Sequence, residues 1–237
     1  MSSDHGSLAT GVMLMRCPDC GNNLSGLQSD CIFLCSSCGA CLVVGDGMTR
    51  VPIAFSGCRG DAIPMPFWKV EAAVTVVRRI SRPAASVSTI EGPRLFDGTE
   101  RRLTESSLPR VRETLVFPAF ATGQALRAAV VLHGTDLIED EPREAGSIPP
   151  MVGGSVGLED VEPLARGVVV GLHVSGKDSV AMLELDLEIV STSILAIGCV
   201  PVGSHLRFGG GSLKIPFTAV TDSEALLSFH SRASADG

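Results

Sequence analysis

Tyrosine is absent from the chain, tryptophan occurs once and phenylalanine nine times, so the interior has to be built from aliphatic side chains. The same scarcity argues against an interaction surface centred on aromatic anchors. No uninterrupted apolar run reaches the roughly 18 residues of a membrane-crossing helix, so no span is expected. The opening residues MSSDHGSLAT lack the basic start and apolar stretch of a secretory signal, which points to the cytoplasm. Positive charge is also short: 19 Lys and Arg face 26 Asp and Glu, a net charge of −7. That balance argues against nucleic acid or an anionic membrane as a general partner.

What is present is apolar content. At 45% of 237 residues it excludes disorder throughout and supplies a sizeable core. Eight cysteines are too few for a disulfide scaffold in a chain this long, and they are unevenly placed. Cys17, Cys20, Cys31, Cys35, Cys38 and Cys41 crowd together, Cys58 lies just beyond, and Cys199 stands alone. Two pairs share one pattern, C-P-D-C-G at Cys17, Cys20 and Gly21, and C-S-S-C-G at Cys35, Cys38 and Gly39, with fourteen residues between them. In each turn two thiolates point at one centre, and the glycine permits the positive φ that closes the knuckle. Two such turns brought together supply four soft sulfur ligands in a tetrahedron, which predicts one structural zinc ion held by Cys17, Cys20, Cys35 and Cys38. A rubredoxin-type iron centre uses the same knuckles, usually at longer separation and with aromatic packing. An iron–sulfur cluster on Cys31, Cys35, Cys38 and Cys41 would leave the Cys17–Cys20 knuckle without a purpose. Cys31, Cys41 and Cys58 read as small buried hydrophobes.

The fold class expected is mostly β with minor helices: a four-cysteine ribbon followed by an antiparallel β-rich body. The boundaries drawn are a flexible start at 1–16, the ribbon at 17–44, a connector at 45–63, the body at 64–230 and a flexible end at 231–237. Ile32 to Leu34 and Leu42 to Val44 read as ribbon strands, and Val51 to Phe55 as one short strand in the connector. From Trp68 to Val76 apolar and polar residues alternate, the period of a half-buried strand. Thr114 to Phe120 reads as a strand whose Pro118 marks an edge or a bulge, and Gln124 to Leu132 as either helix or strand. Ala165 to Val174 is expected to form a hairpin with the alternating segment Ala181 to Ile189. Further strands are expected at Ser193 to Val202, His205 to Phe208 and Leu213 to Val220, with short helices near Leu158 to Arg166 and Asp222 to Phe229.

Two polar loops are expected, at 81–112 and 134–163. The first, counted with the two arginines just before it, Arg78 and Arg79, carries eight arginines against Glu91, Asp97, Glu100 and Glu105. The second is acidic. Basic and acidic loops of this kind usually solvate or attract each other within the molecule; the alternative is a basic loop that docks an acidic partner.

Several motifs invite a catalytic reading that their context denies. Gly153-Gly154-Ser155-Val156-Gly157 matches the G-x-S-x-G elbow, yet Ser147-Ile148-Pro149-Pro150 before it cannot form the required central strand. Gly176-Lys177 lacks the rest of a phosphate loop, no helix pattern follows the glycines at 209–211, and the five histidines show no metal-ligand spacing.

Taken in order, CPDCGNNL, FLCSSCGA, VPIA, PMPFWKVEAAV and TLVFPAF resemble a group of poorly characterised bacterial proteins with an N-terminal zinc ribbon, a PFW strand and a VPAF strand. The resemblance spans about residues 17–132. It implies that the four knuckle cysteines are metal ligands, and it implies no catalytic residue. The function expected is a non-catalytic accessory subunit that contacts other protein subunits within a hetero-complex. The alternatives are a nucleic-acid-associated ribbon factor and an iron-binding redox protein.

Overall fold

The computed structural model describes residues 15–82, 103–135, 137, 150–174, 179–211 and 213–220. The flexible ends expected at 1–16 and 231–237, apart from Met15 and Arg16, lie outside these residues, as does the helix expected at Asp222 to Phe229. Within them the chain is mostly β, with antiparallel sheets and an N-terminal four-cysteine ribbon.

The ribbon is a small antiparallel sheet of β1 (Ile32–Leu34), β2 (Cys41–Val44) and β3 (Met48–Val51). Pro52 then ends one sheet and starts another. Lacking an N–H, it cannot continue the β3 ladder, but its carbonyl accepts from the Ile194 amide at 2.8 Å. β4 (Ile53–Ser56) thereby enters the body sheet, parallel to the strand that carries Ile194. The single strand expected from Val51 to Phe55 is therefore two strands in two sheets, and the connector expected at 45–63 carries both β3 and β4.

The body sheet is built on long strands. β5 (Ile63–Arg82) lies between β6 (Thr104–Pro118) and β7 (Ser179–Val202), antiparallel to both. The other edge of β7 pairs with β4 and then, through a tight turn at Gly203, with β8 (His205–Phe208). β9 (Leu213–Pro216) closes that side. Alternation along β5 sends Trp68, Val70, Ala72 and Val74 into one apolar cluster and Met65 and Phe67 into a second on the opposite face. Phe67, Phe120 and Phe208 meet in the second cluster, with centroids 5.4 Å to 6.4 Å apart.

The region expected to be a polar loop at 81–112 is strand at both described ends, because β5 runs to Arg82 and β6 starts at Thr104. The first nine residues of β6 are exposed there and so read as loop, whereas Ser81 on β5 is buried. Two arginines pair between strands there: Arg78 Nε donates to Glu105 at 2.8 Å, and Arg110 bonds Glu188 on the far strand. Neither a partner nor the acidic segment at 134–163 is needed for those two pairs. The far end of that second loop is also ordered, as a short helical turn at Leu158–Asp160 leading into a helix.

Two helices contact each other and the sheet, the first at β6 and the second at β7. The ambiguous segment after Phe120 is α1 (Ala125–Leu132). The strand expected at Ala165 to Val174 is instead part of α2 (Val161–Val174). Its valines raise strand propensity, but Val161, Ala165, Val168, Val169 and Leu172 form a helical stripe that enters the first cluster. Glu159, Asp160 and Glu162 favour the helix start electrostatically, and Pro163 is tolerated in the first turn. At Gly171 the helices approach closely: a Cβ there would displace the exposed Leu126 side chain of α1. The hairpin expected between 165–174 and 181–189 does not form, and β7 pairs with β5 instead.

Candidate metal centre

The two knuckles repeat one backbone design. In the first, the Gly21 N–H donates to the Cys17 carbonyl at 2.8 Å and the Cys17 N–H donates to Asn22 at 2.8 Å. In the second, Gly39 donates to Cys35 at 2.8 Å and Cys35 donates to Ala40 at 2.9 Å. Both glycines have φ of 75°, the left-handed conformation that a side chain would disfavour.

These turns bring the four sulfurs within 4.8 Å of one another. The close pairs each draw one thiol from each knuckle: Cys17 Sγ to Cys38 Sγ is 3.6 Å and Cys20 Sγ to Cys35 Sγ is 3.5 Å. A disulfide needs ~2.05 Å, so these thiols are unbonded. A tetrahedral ion with sulfur ligands at ~2.3 Å has S···S edges of ~3.8 Å, close to the shortest separations here. Cys17 and Cys35 are buried beneath Ala40 and Leu42, with Cys38 at the margin and Cys20 exposed. The donor set fits one ion with four sulfur ligands and leaves no open position.

Electrostatics within the cluster point the same way. Burial opposes ionisation of Cys35, but the Cys38 and Ser37 amides and the Cys20 and Cys38 thiols outweigh it and bring its pKa down to about 7. The Ala40 amide favours the Cys38 thiolate, yet burial and the Cys17, Cys35 and Cys20 thiols hold Cys38 up to about 12. Cys20 is raised as well: the Asn22 amide and the Cys38 thiol pull it down, but partial desolvation of its sulfur and the Cys35 and Cys17 thiols prevail. The cluster thus ionises readily at one sulfur and resists further negative charge, the imbalance that a bound cation removes.

The other cysteines stand apart from this centre. Cys41 neighbours the second knuckle in sequence, but alternation along β2 turns Leu42 towards the knuckles and Cys41 and Val43 into the core shared with the body. Burial pushes the Cys41 thiol up to about 12, and burial with Glu159 and Asp30 nearby pushes Cys31 up to about 11. Cys58 is buried and donates to the Ala196 carbonyl at 3.3 Å, and burial with Cys58 nearby raises Cys199 to about 12.

A residue set that sequence reasoning treated as a loose loop holds the ribbon on the body. The Gly154 carbonyl accepts from the Cys31 and Ile32 amides at 2.7 and 2.9 Å, and its own N–H donates to Ile32 at 3.2 Å. Next to it, Ser155 Oγ accepts from the Ala121 N–H at 2.9 Å. The Val156 N–H donates to Ala119, and its carbonyl accepts from the Trp68 indole at 3.0 Å. The G-x-S-x-G stretch is therefore a clamp between ribbon and sheet, without the strand before the serine that an elbow requires. Ile32, Cys41, Val43 and Val51 share one cluster with Trp68, Val70 and Ile194. The only earlier signal was the glycine pair at 153–154.

Among the described residues no helix is long and apolar enough to cross a membrane. No family model matches the chain, and no match was found among curated proteins or solved structures.

Proposed function

We propose that this chain is a zinc-structured, non-catalytic accessory subunit of a cytoplasmic bacterial hetero-complex. The observation that carries the reading is the closed set of four sulfurs within 4.8 Å at the tip of a ribbon clamped to a β body. Zinc suits a site of four thiolates with no vacant position and no redox demand, and its role there is to hold the ribbon strands in place. The likeness to bacterial proteins with a ribbon, a PFW strand and a VPAF strand supports the same assignment. Free thiols throughout the described cysteines suit a reducing compartment. Other protein subunits are the proposed partners. An iron-binding redox protein and a nucleic-acid-associated ribbon factor are the competing roles. The test is native mass spectrometry of the full chain recovered from its own cells under gentle conditions. A stoichiometric assembly with defined subunits and one zinc per chain supports the proposal; a metal-bound monomer without companions refutes it, and co-purifying nucleic acid favours the factor.

A further inference from the structure

Two cavities flank β6 on opposite faces of the sheet, away from the metal centre. One, of about 470 Å³, is apolar, with Val74, Val76, Leu108, Val111, Val169 and Leu172 in its wall. The other, of about 430 Å³, is polar and includes Lys69, Glu71, Thr114 and Thr135. Glu113 and His133 line both. Both volumes fall in the range of small-molecule sites, where an apolar wall and a few convergent polar groups are the usual composition.

The polar groups common to both are incompletely satisfied. His133 Nε2 lies 3.8 Å from Glu113 Oε2, beyond hydrogen-bond range, and His133 Nδ1 is buried without a hydrogen-bond partner. The Glu113 carboxylate keeps the capacity to accept from a ligand. Leu172 and His173, in the last turn of α2, also line the apolar cavity. The end of α1 lines the polar cavity, through Leu132 and His133. Lys69, in the polar cavity, already has an interaction of its own. A strand partner is disfavoured on this edge, because Pro109 lacks an N–H and the ladder shifts register between Val74 and Val76 and between Val76 and Arg79.

We propose that the apolar cavity binds a small amphipathic amine, with its apolar body against Leu108 and Val111 and its ammonium group on Glu113. The Glu113 carboxylate favours a cation, and the valines and leucines favour an alkyl or ring body. A carboxylate ligand would meet Glu113 instead. This site is separate from the metal centre, and its test does not depend on the subunit role.

The experiment titrates the full-length, metal-loaded chain with hexylamine, hexanol and hexanoate, followed by ligand-observed NMR. Hexylamine binds in the millimolar range or better, with hexanol about tenfold weaker and hexanoate weaker still. Glu113→Gln lowers hexylamine affinity about tenfold and leaves hexanol unchanged, whereas Leu108→Asn weakens both. Both positions are solvent-accessible, and an unaltered melting temperature checks that each variant is folded. Equal binding of hexanoate and hexylamine, an amine affinity indifferent to Glu113→Gln, or no binding by any of the three overturns the proposal.

Discussion

Replacing Gly154 by alanine tests how the ribbon is joined to the body. The backbone there is compatible with alanine, since Gly154 is not among the residues with positive φ. The obstacle is space: a Cβ would lie 2.7 Å from the Ala119 carbonyl oxygen and 2.9 Å from Ile32 Cδ1. Relief of that overlap moves the loop away from β1, at the expense of the bonds between Gly154 and the Cys31 and Ile32 backbone. The three bonds contribute about 1 kcal/mol net each and overpacking costs about 1–3 kcal/mol, so a loss of up to about 4–6 kcal/mol is expected. For a chain of this size that corresponds to a fall of about 8–24 °C in melting temperature. Gly167→Ala is the control, because a Cβ there meets nothing within 4 Å and the residue lies inside α2. It should stabilise by about 0.5–1 kcal/mol through helix propensity and reduced unfolded-state entropy. Calorimetry of the metal-loaded variants reads both. A Gly154→Ala protein that melts with the parent would refute the clamp.

Three further outcomes follow from the same packing. Cys35→Ser should lower the cooperative unfolding of the whole body rather than release the ribbon alone, because Ile32, Val43 and Val51 share a cluster with Trp68 and Ile194; two separate transitions by circular dichroism would contradict this. Trp68→Phe removes the indole donor to the Val156 carbonyl at a fully buried site, and a loss of about 1–3 kcal/mol in denaturant titration is expected. Stability should fall as pH rises from about 9 towards about 12, since Cys41 and Cys199 keep their protons in the folded state up to about 12 while the unfolded thiols ionise from 9.0. Cys41→Ala should flatten that decline in melting curves across the range, and an unchanged slope would show that burial of Cys41 is not its cause.

Much of this architecture was legible where local chemistry and periodicity agree. The paired C-x-x-C-G turns announced the four sulfurs, and the alternation through Trp68 to Val76 and Ala181 to Ile189 announced β5 and β7. Three features were hidden, each for a physical reason. The polar start of β6 is exposed, so nothing in its polarity distinguishes a strand from a loop. The valines of α2 raise strand propensity, and only the spacing of its buried face reveals the helix. The ribbon's union with the body depends on long-range backbone bonds at Gly154 and on the crossing at Pro52, which no local pattern records. The groove beside Glu113 and His133 joins residues from β5, β6 and both helices, so only the tertiary fold brings them together.

Elemental analysis of the natively purified chain tests the central claim most directly, because the closed four-sulfur centre underlies both the fold of the ribbon and its proposed role. The account predicts one zinc per chain, no visible charge-transfer absorption, and loss of that zinc in Cys35→Ser. One equivalent of iron with visible absorption bands, or zinc retained in full by Cys35→Ser, would contradict it.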